Sequence, residues 1–151
     1  MLFAKNYMIL LLLCLTTAVA SAQSKSILTG DFAHLSNSIS VKENILFETF
    51  SKHEGQKIDV NFSATFNFPG TVISQQKIYD NLYTIIIRSS EYNKALLQIS
   101  KQIKANGSVT YTGRIFSNGG SDGFSIIPDG SGDYQLQKFE KAVVLQDCHI
   151  Q

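Results

Sequence analysis

The most constraining stretch of the chain runs from Lys57 to Gly70, K-I-D-V-N-F-S-A-T-F-N-F-P-G. Ile58, Val60, Phe62, Ala64, Phe66 and Phe68 take the even positions, and Asp59, Asn61, Ser63, Thr65 and Asn67 take the odd ones between them. Side chains alternate across a strand, so this pattern sets one apolar row against a core and one polar row in water. Read as one continuous strand it spans roughly 36 Å, at about 3.3 Å per residue. Pro69-Gly70 is expected to close it, because proline cannot donate to a ladder and glycine permits a tight turn.

Strand-like segments dominate the rest of the chain. Thr71 to Tyr79 is a second strand with Val72 and Ile73 as its apolar part, and Asp80-Asn81 is a two-residue turn signal. Leu82 to Arg88 carries Ile85-Ile86-Ile87, an uninterrupted apolar run that suggests a central strand covered on both faces. Residues 91–103 fit two patterns. Leu96, Ile99 and Ile103 lie at helical spacing, whereas Leu97, Ile99 and Ile103 alternate, and Lys104 to Gly107 suits a hairpin loop. The strand-like flanks favour the hairpin. Ser108 to Phe116 reads as a strand with Val109, Tyr111, Gly113 and Ile115 on one face. Ser117 to Gly123 reads as a loop, Phe124 to Ile127 as a short strand stopped by Pro128, and Tyr134 to Phe139 as its return. Ala142 to Leu145 is a last apolar run.

One helix is expected near residues 41–53. Ser40 and Glu43 match a capping box, Val41, Ile45, Leu46, Thr49 and Phe50 recur at helical spacing, and Gly55 can end the segment after Lys52 and His53. The competing reading is a strand over 45–50. Together these segments predict a mainly β fold: an antiparallel sheet curled into a small barrel or sandwich, with one N-terminal helix.

The first residues look like a targeting segment. Lys5 precedes an apolar run from Met8 to Leu15, and Ala20-Ser21-Ala22 supplies the small residues of an A-x-A cleavage site before Gln23. The run is short of the roughly 20 residues needed to span a bilayer. Residues 1–22 are therefore expected to act as a secretory signal, 23–151 to form a single β-rich domain, and the protein to be secreted or periplasmic. Without Lys5 the formal net charge of +1 falls to zero. That balance disfavours a nucleic-acid or polybasic membrane partner. Of the two cysteines, Cys14 lies in the signal, which leaves Cys148 with neither a disulfide partner nor a Cys-based zinc site.

Chemistry-bearing motifs are few. His34, His53 and His149 show no metal spacing, and there is no G-x-S-x-G elbow and no P-loop. Asp129, Ser131, Asp133 and Glu140 occupy positions 1, 3, 5 and 12 of a calcium loop, although Tyr134 stands where the sharp turn wants glycine. The alternative is a hairpin turn whose carboxylates bond their own backbone. Arg88 and Arg114 are the only arginines, and on a common polar strand face they could hold an anion bidentately. The expected role is a non-catalytic binding or interaction module for a protein or small ligand. A small hydrolase with scattered site residues and a barrel carrying an apolar ligand are the alternatives. Calcium is the one cofactor the sequence suggests.

Overall fold

The computed structural model describes residues 30–117 and 119–140. The signal segment, the run at Ala142 to Leu145, Cys148 and His149 lie outside them. In chain order the elements are β1 (Ser38–Val41), α1 (Glu43–Thr49), β2 (Lys57–Ser63), β3 (Phe66–Tyr79), β4 (Leu82–Ser89), β5 (Leu96–Ile103), β6 (Val109–Phe116), β7 (Asp122–Pro128) and β8 (Tyr134–Glu140). The strands form one antiparallel sheet in the order β1-β8-β7-β6-β5-β4-β3-β2, curled into a half-barrel. From β2 to β8 the path is a simple meander, and β1 pairs with β8 through Ile39↔Leu136 and Val41↔Tyr134. The edge strands β1 and β2 approach each other without a ladder.

Of the even row of the founding stretch, Val60, Phe62, Phe66 and Phe68 are buried, Ile58 is partly buried and Ala64 is exposed, and the stretch is two strands rather than one. Ser63-Ala64-Thr65-Phe66 is a tight hairpin, in which Ser63 Oγ accepts the backbone N–H groups of Thr65 at 3.2 Å and Phe66 at 3.1 Å. A register shift between Asn61 and Ser63 accompanies it. Parity is kept on either side of the turn, although Ala64 at its tip is exposed, so Val60 and Phe62 on β2 face the same interior as Phe66 and Phe68 on β3. Pro69-Gly70 does not close the strand either, and β3 continues to Tyr79. The Pro69 carbonyl accepts the N–H of Ser90 at 3.0 Å, so the proline nitrogen faces the same side, past the end of β4 at Ser89. No ladder donor is lost there, and the proline is tolerated.

The concave face is filled by side chains from every strand. Ile85 and Ile87 (β4), Leu97 and Ile99 (β5), Tyr111 and Ile115 (β6), Phe124 and Ile126 (β7) and Leu136 (β8) are all buried. Ile86 is only half-buried on the opposite face, so β4 is covered on one face and not on both. Residues 91–103 resolve as a loop leading into β5, with the expected turn at Lys104 to Gly107. At one end of the trough a turn at residues 31–35 inserts Phe32, whose ring lies 5.7 Å from Phe124 and 5.4 Å from Tyr92. Lys138 fastens that turn: its Nζ donates to the carbonyls of Phe32 and Leu35 and sits over the Phe124 ring.

Helix α1 covers the other end with Leu46 and Thr49 buried, and Phe50 packs 6.0 Å from Tyr111. It is shorter than residues 41–53 and is not capped by Ser40, which belongs to β1. Lys42 is the N-cap and makes no side-chain cap bond. Asp133, from the turn before β8, supplies the cap instead: its Oδ1 accepts the Glu43 N–H at 3.1 Å and its Oδ2 pairs with Lys42 Nζ at 2.6 Å. The Lys42 bond and the Glu43 N–H hold the Asp133 carboxyl below its usual value, and the same pair raises Lys42. A depressed carboxyl stabilises the fold above its unfolded pKa and loses that contribution as pH falls through the native value; the raised Lys42 contributes until pH climbs past its ordinary 10.5. Asp133→Ala should therefore lower Tm by a few degrees at pH 7, and the deficit should shrink in melts recorded below pH 4.

Candidate functional site

A groove lies on the convex face, where the register aligns one row across four strands. Thr71 pairs with Arg88, Arg88 with Leu96, and Leu96 with Phe116. These four residues help to line a groove of about 860 Å³ with Ile73, Ser89, Ser90, Asn93 and Lys94. Its size is in the range of small-molecule pockets. Two local departures from regular structure shape it.

The first is on β3, where the register with β4 shifts between Val72 and Ser74 and leaves Ile73 without a partner. Half-buried Ile73 shares the convex face with Thr71 by parity, and the bulge re-aims Ser74, opposite Ile86, to the same face. The second is the β4–β5 loop. Ala95 N–H donates to the Tyr92 carbonyl at 2.7 Å, and the two residues between them have positive φ, 45° at Asn93 and 57° at Lys94. That is a type I′ turn, whose second central position is normally glycine.

The loop is held firmly. Ser89 Oγ accepts the N–H groups of Glu91 and Tyr92, and Tyr92 Oη donates to the Asn67 carbonyl at 2.9 Å. The Tyr92 ring stacks on Phe68 at 5.8 Å, and burial pushes its phenol above the usual pKa. The turn is thus anchored in the core on one side and presents Asn93 and Lys94 to the groove on the other.

Among the described residues the electrostatics of the groove are one-sided: Arg88 and Lys94 line it, no Asp or Glu does, and neither cation's side chain has an ion-pair or hydrogen-bond partner. Half-buried Ile73, Leu96 and Phe116 lie between and beside them. A planar guanidinium on such a floor can take a carboxylate or phosphate through paired N–H donors.

Arg114 shares the convex face but not the groove. It pairs with Gln98 and Ser125 one row further along, places its guanidinium 6.0 Å from the Phe139 ring centre, and lines a separate depression with Gln98, Ser100 and Thr112. Strand spacing puts the two arginine backbones roughly 12 Å apart. They do not converge on one bidentate site.

The four residues of the calcium pattern are not brought together. Asp129 accepts from the N–H of Ser131 at 2.8 Å and from its Oγ, bonds that hold the Asp129 carboxyl below its usual value. Asp133 is engaged at the helix N-terminus. Residues 134–140 are extended in β8, which carries Glu140 roughly 20 Å away to pair with Asp122. Among the described residues no three His, Cys, Asp or Glu side chains are grouped to hold a metal. His34 and His53 are exposed, and His53 Nδ1 faces Gln75 Oε1 at 3.3 Å.

Sequence reasoning singled out Arg88 and missed its companions. Lys94 and Asn93 lay in the stretch where helix and hairpin patterns overlapped, and Leu96 and Phe116 fitted ordinary strand alternation. The one available signal was Asn93, a residue tolerant of positive φ, just ahead of an alternating run. No family model, curated protein or solved structure matches the chain.

Proposed function

We propose that the protein is an exported, non-catalytic binding module that holds an anionic ligand in the convex groove at Arg88. The observation that carries this reading is a pair of cations, Arg88 and Lys94, that have no charge partner and share a groove with no acid among the described residues. Opposite charge is the cheapest complement to such a site, and the planar guanidinium of Arg88 adds geometric selectivity. The packing of the concave face supports a site on the outside: Phe32, Phe62, Phe66, Phe68, Tyr111 and Phe124 fill the space that a carried apolar ligand would need.

Amide chemical-shift mapping with acetate and with inorganic phosphate tests the proposal. Shifts are expected at Thr71, Arg88, Ser90, Asn93 and Lys94, and Arg88→Gln should weaken binding about tenfold, the loss of one charge-assisted pair. Shifts scattered over Lys57, Lys77 and Lys104, or unchanged by Arg88→Gln, would remove the site.

A further inference from the structure

The groove is more than a charged spot, and the strained turn beside it says which part of it is costly to maintain. Left-handed φ is unfavourable for residues with a Cβ, and the second central position of a type I′ turn is where glycine relieves it. Lys94 occupies that position at φ 57° and lines the groove. Glycine would serve the turn better, and would remove the second cation. Strain kept at a position that faces a candidate site is a pointer to use of that side chain.

The apolar part of the groove points to the rest of the ligand. Ile73 lies on this face by its parity with Thr71, and Leu96 and Phe116 are neighbours across β5 and β6. All three remain partly exposed. Main-chain recognition of a peptide is closed off at this place, because β3, β4, β5 and β6 each have a neighbouring strand on both sides. A peptide laid on the groove would find no free sheet edge to extend. A compact ligand suits the volume and the surface better.

We infer that the ligand is a small amphiphile, with an anionic head at Arg88 and Lys94 and an apolar body over Ile73, Leu96 and Phe116, and that Lys94 is a specificity-determining residue retained against the preference of its turn. This rests on the groove being the binding site. Carboxylate and phosphate heads share the chemistry, and the apolar body separates the ligand from simple anions.

Calorimetric titration of the full chain with decanoate, decyl phosphate, acetate and decanol, beside thermal melts of Lys94→Gly, Lys94→Arg and Arg88→Gln, tests the inference. Either ten-carbon anion should bind about tenfold or more tighter than acetate, and decanol should bind weakly. The tighter of the two anions identifies the head group. Lys94→Gly should raise Tm by about 1–3 °C while weakening that anion about three- to tenfold. Lys94→Arg should keep the affinity. A gain in Tm with unchanged affinity, while Arg88→Gln still weakens binding, overturns the role of Lys94 and leaves the groove in place. A fall in Tm for Lys94→Gly overturns the strain argument. Equal affinity for acetate and decanoate overturns the apolar body. Binding indifferent to both Arg88→Gln and Lys94→Gly overturns the groove itself.

Discussion

Replacing Phe66 by alanine is expected to destabilise the protein by about 3–5 kcal/mol, the usual loss for a fully buried aromatic. Phe66 is 1% exposed, and four rings surround it. Phe62 stacks on it at 5.4 Å, Tyr92 and Phe124 lie at 5.7 Å, and Phe32 meets it edge-on at 6.2 Å. These neighbours come from four separate segments: β2, the β4–β5 loop, β7 and the turn at residues 31–35. Their backbones are held by different ladders, so they cannot all move inwards to fill a cavity. Thr65→Ala, one residue away at the exposed tip of the hairpin, should stay within about 0.5 kcal/mol. Denaturant unfolding of both variants measures the contrast. A loss below about 1 kcal/mol for Phe66→Ala would mean that the aromatic cluster is not the centre of the core.

The same residue shows how far the sequence could be read. Alternation over 58–68 correctly assigned Val60, Phe62, Phe66 and Phe68 to the interior, because a two-residue hairpin with a bulge conserves parity. What alternation could not show was the turn itself. Ser63-Ala64-Thr65 contains none of the residues that punctuate a chain strongly, and the turn depends on Ser63 Oγ accepting two backbone N–H groups. Pro69-Gly70, a strong turn signal, proved to lie inside a strand, because a proline at the end of a neighbouring ladder removes no bond. Local signals misled wherever a distant residue decided the outcome. The apparent capping box at Ser40 and Glu43 gave way to Asp133, ninety residues away from Glu43 in sequence. In the calcium spacing, the pairing of β8 with β1 and β7 carries Glu140 away from Asp129, Ser131 and Asp133.

The candidate site was legible only in its arginine. A groove on a convex sheet face is made by register, which brings Thr71, Arg88, Leu96 and Phe116 into one row from four strands. Register depends on turn geometry and bulges, and both were hidden here: the bulge at Ile73 and the type I′ turn at Asn93-Lys94 carry no glycine. The scaffold and the site are nevertheless linked. Tyr92, which packs on Phe66 and Phe68, fixes the loop that presents Lys94. Core packing on the concave face thereby sets the geometry of the groove on the other face.

Gly113→Ala is the second substitution expected to have a large effect, because it tests the curl of the sheet. Gly113 is on the concave side of β6, opposite Ile99 on β5 and Ile126 on β7. A Cβ at this position would lie 2.3 Å from the carbonyl oxygen of Gln98, 2.9 Å from Ile126 Cδ1 and 3.2 Å from the Cα of Ile99. The isoleucine methyl could turn aside, but the carbonyl and the Cα belong to the adjoining strand and can retreat only if β5 moves. A glycine within a strand permits such a close approach and marks a sharp bend of the sheet. The ladder to β7 also ends here: beyond Gly113↔Ile126 the two strands part, and Tyr134 Oη takes the Tyr111 N–H at 3.0 Å in place of a ladder carbonyl. Flattening the sheet at this point would draw Tyr111 away from Tyr134 and Phe50, opening the end of the trough that helix α1 covers. Overpacking in a tight site costs about 1–3 kcal/mol, and this one should fall at the upper end because backbone rather than a side-chain tip must shift. Denaturant unfolding checks the size of the loss, and amide shifts at Phe50, Tyr111 and Tyr134 check its place. A neutral Gly113→Ala would show that β5 and β6 lie further apart here, and the half-barrel would be flatter than described.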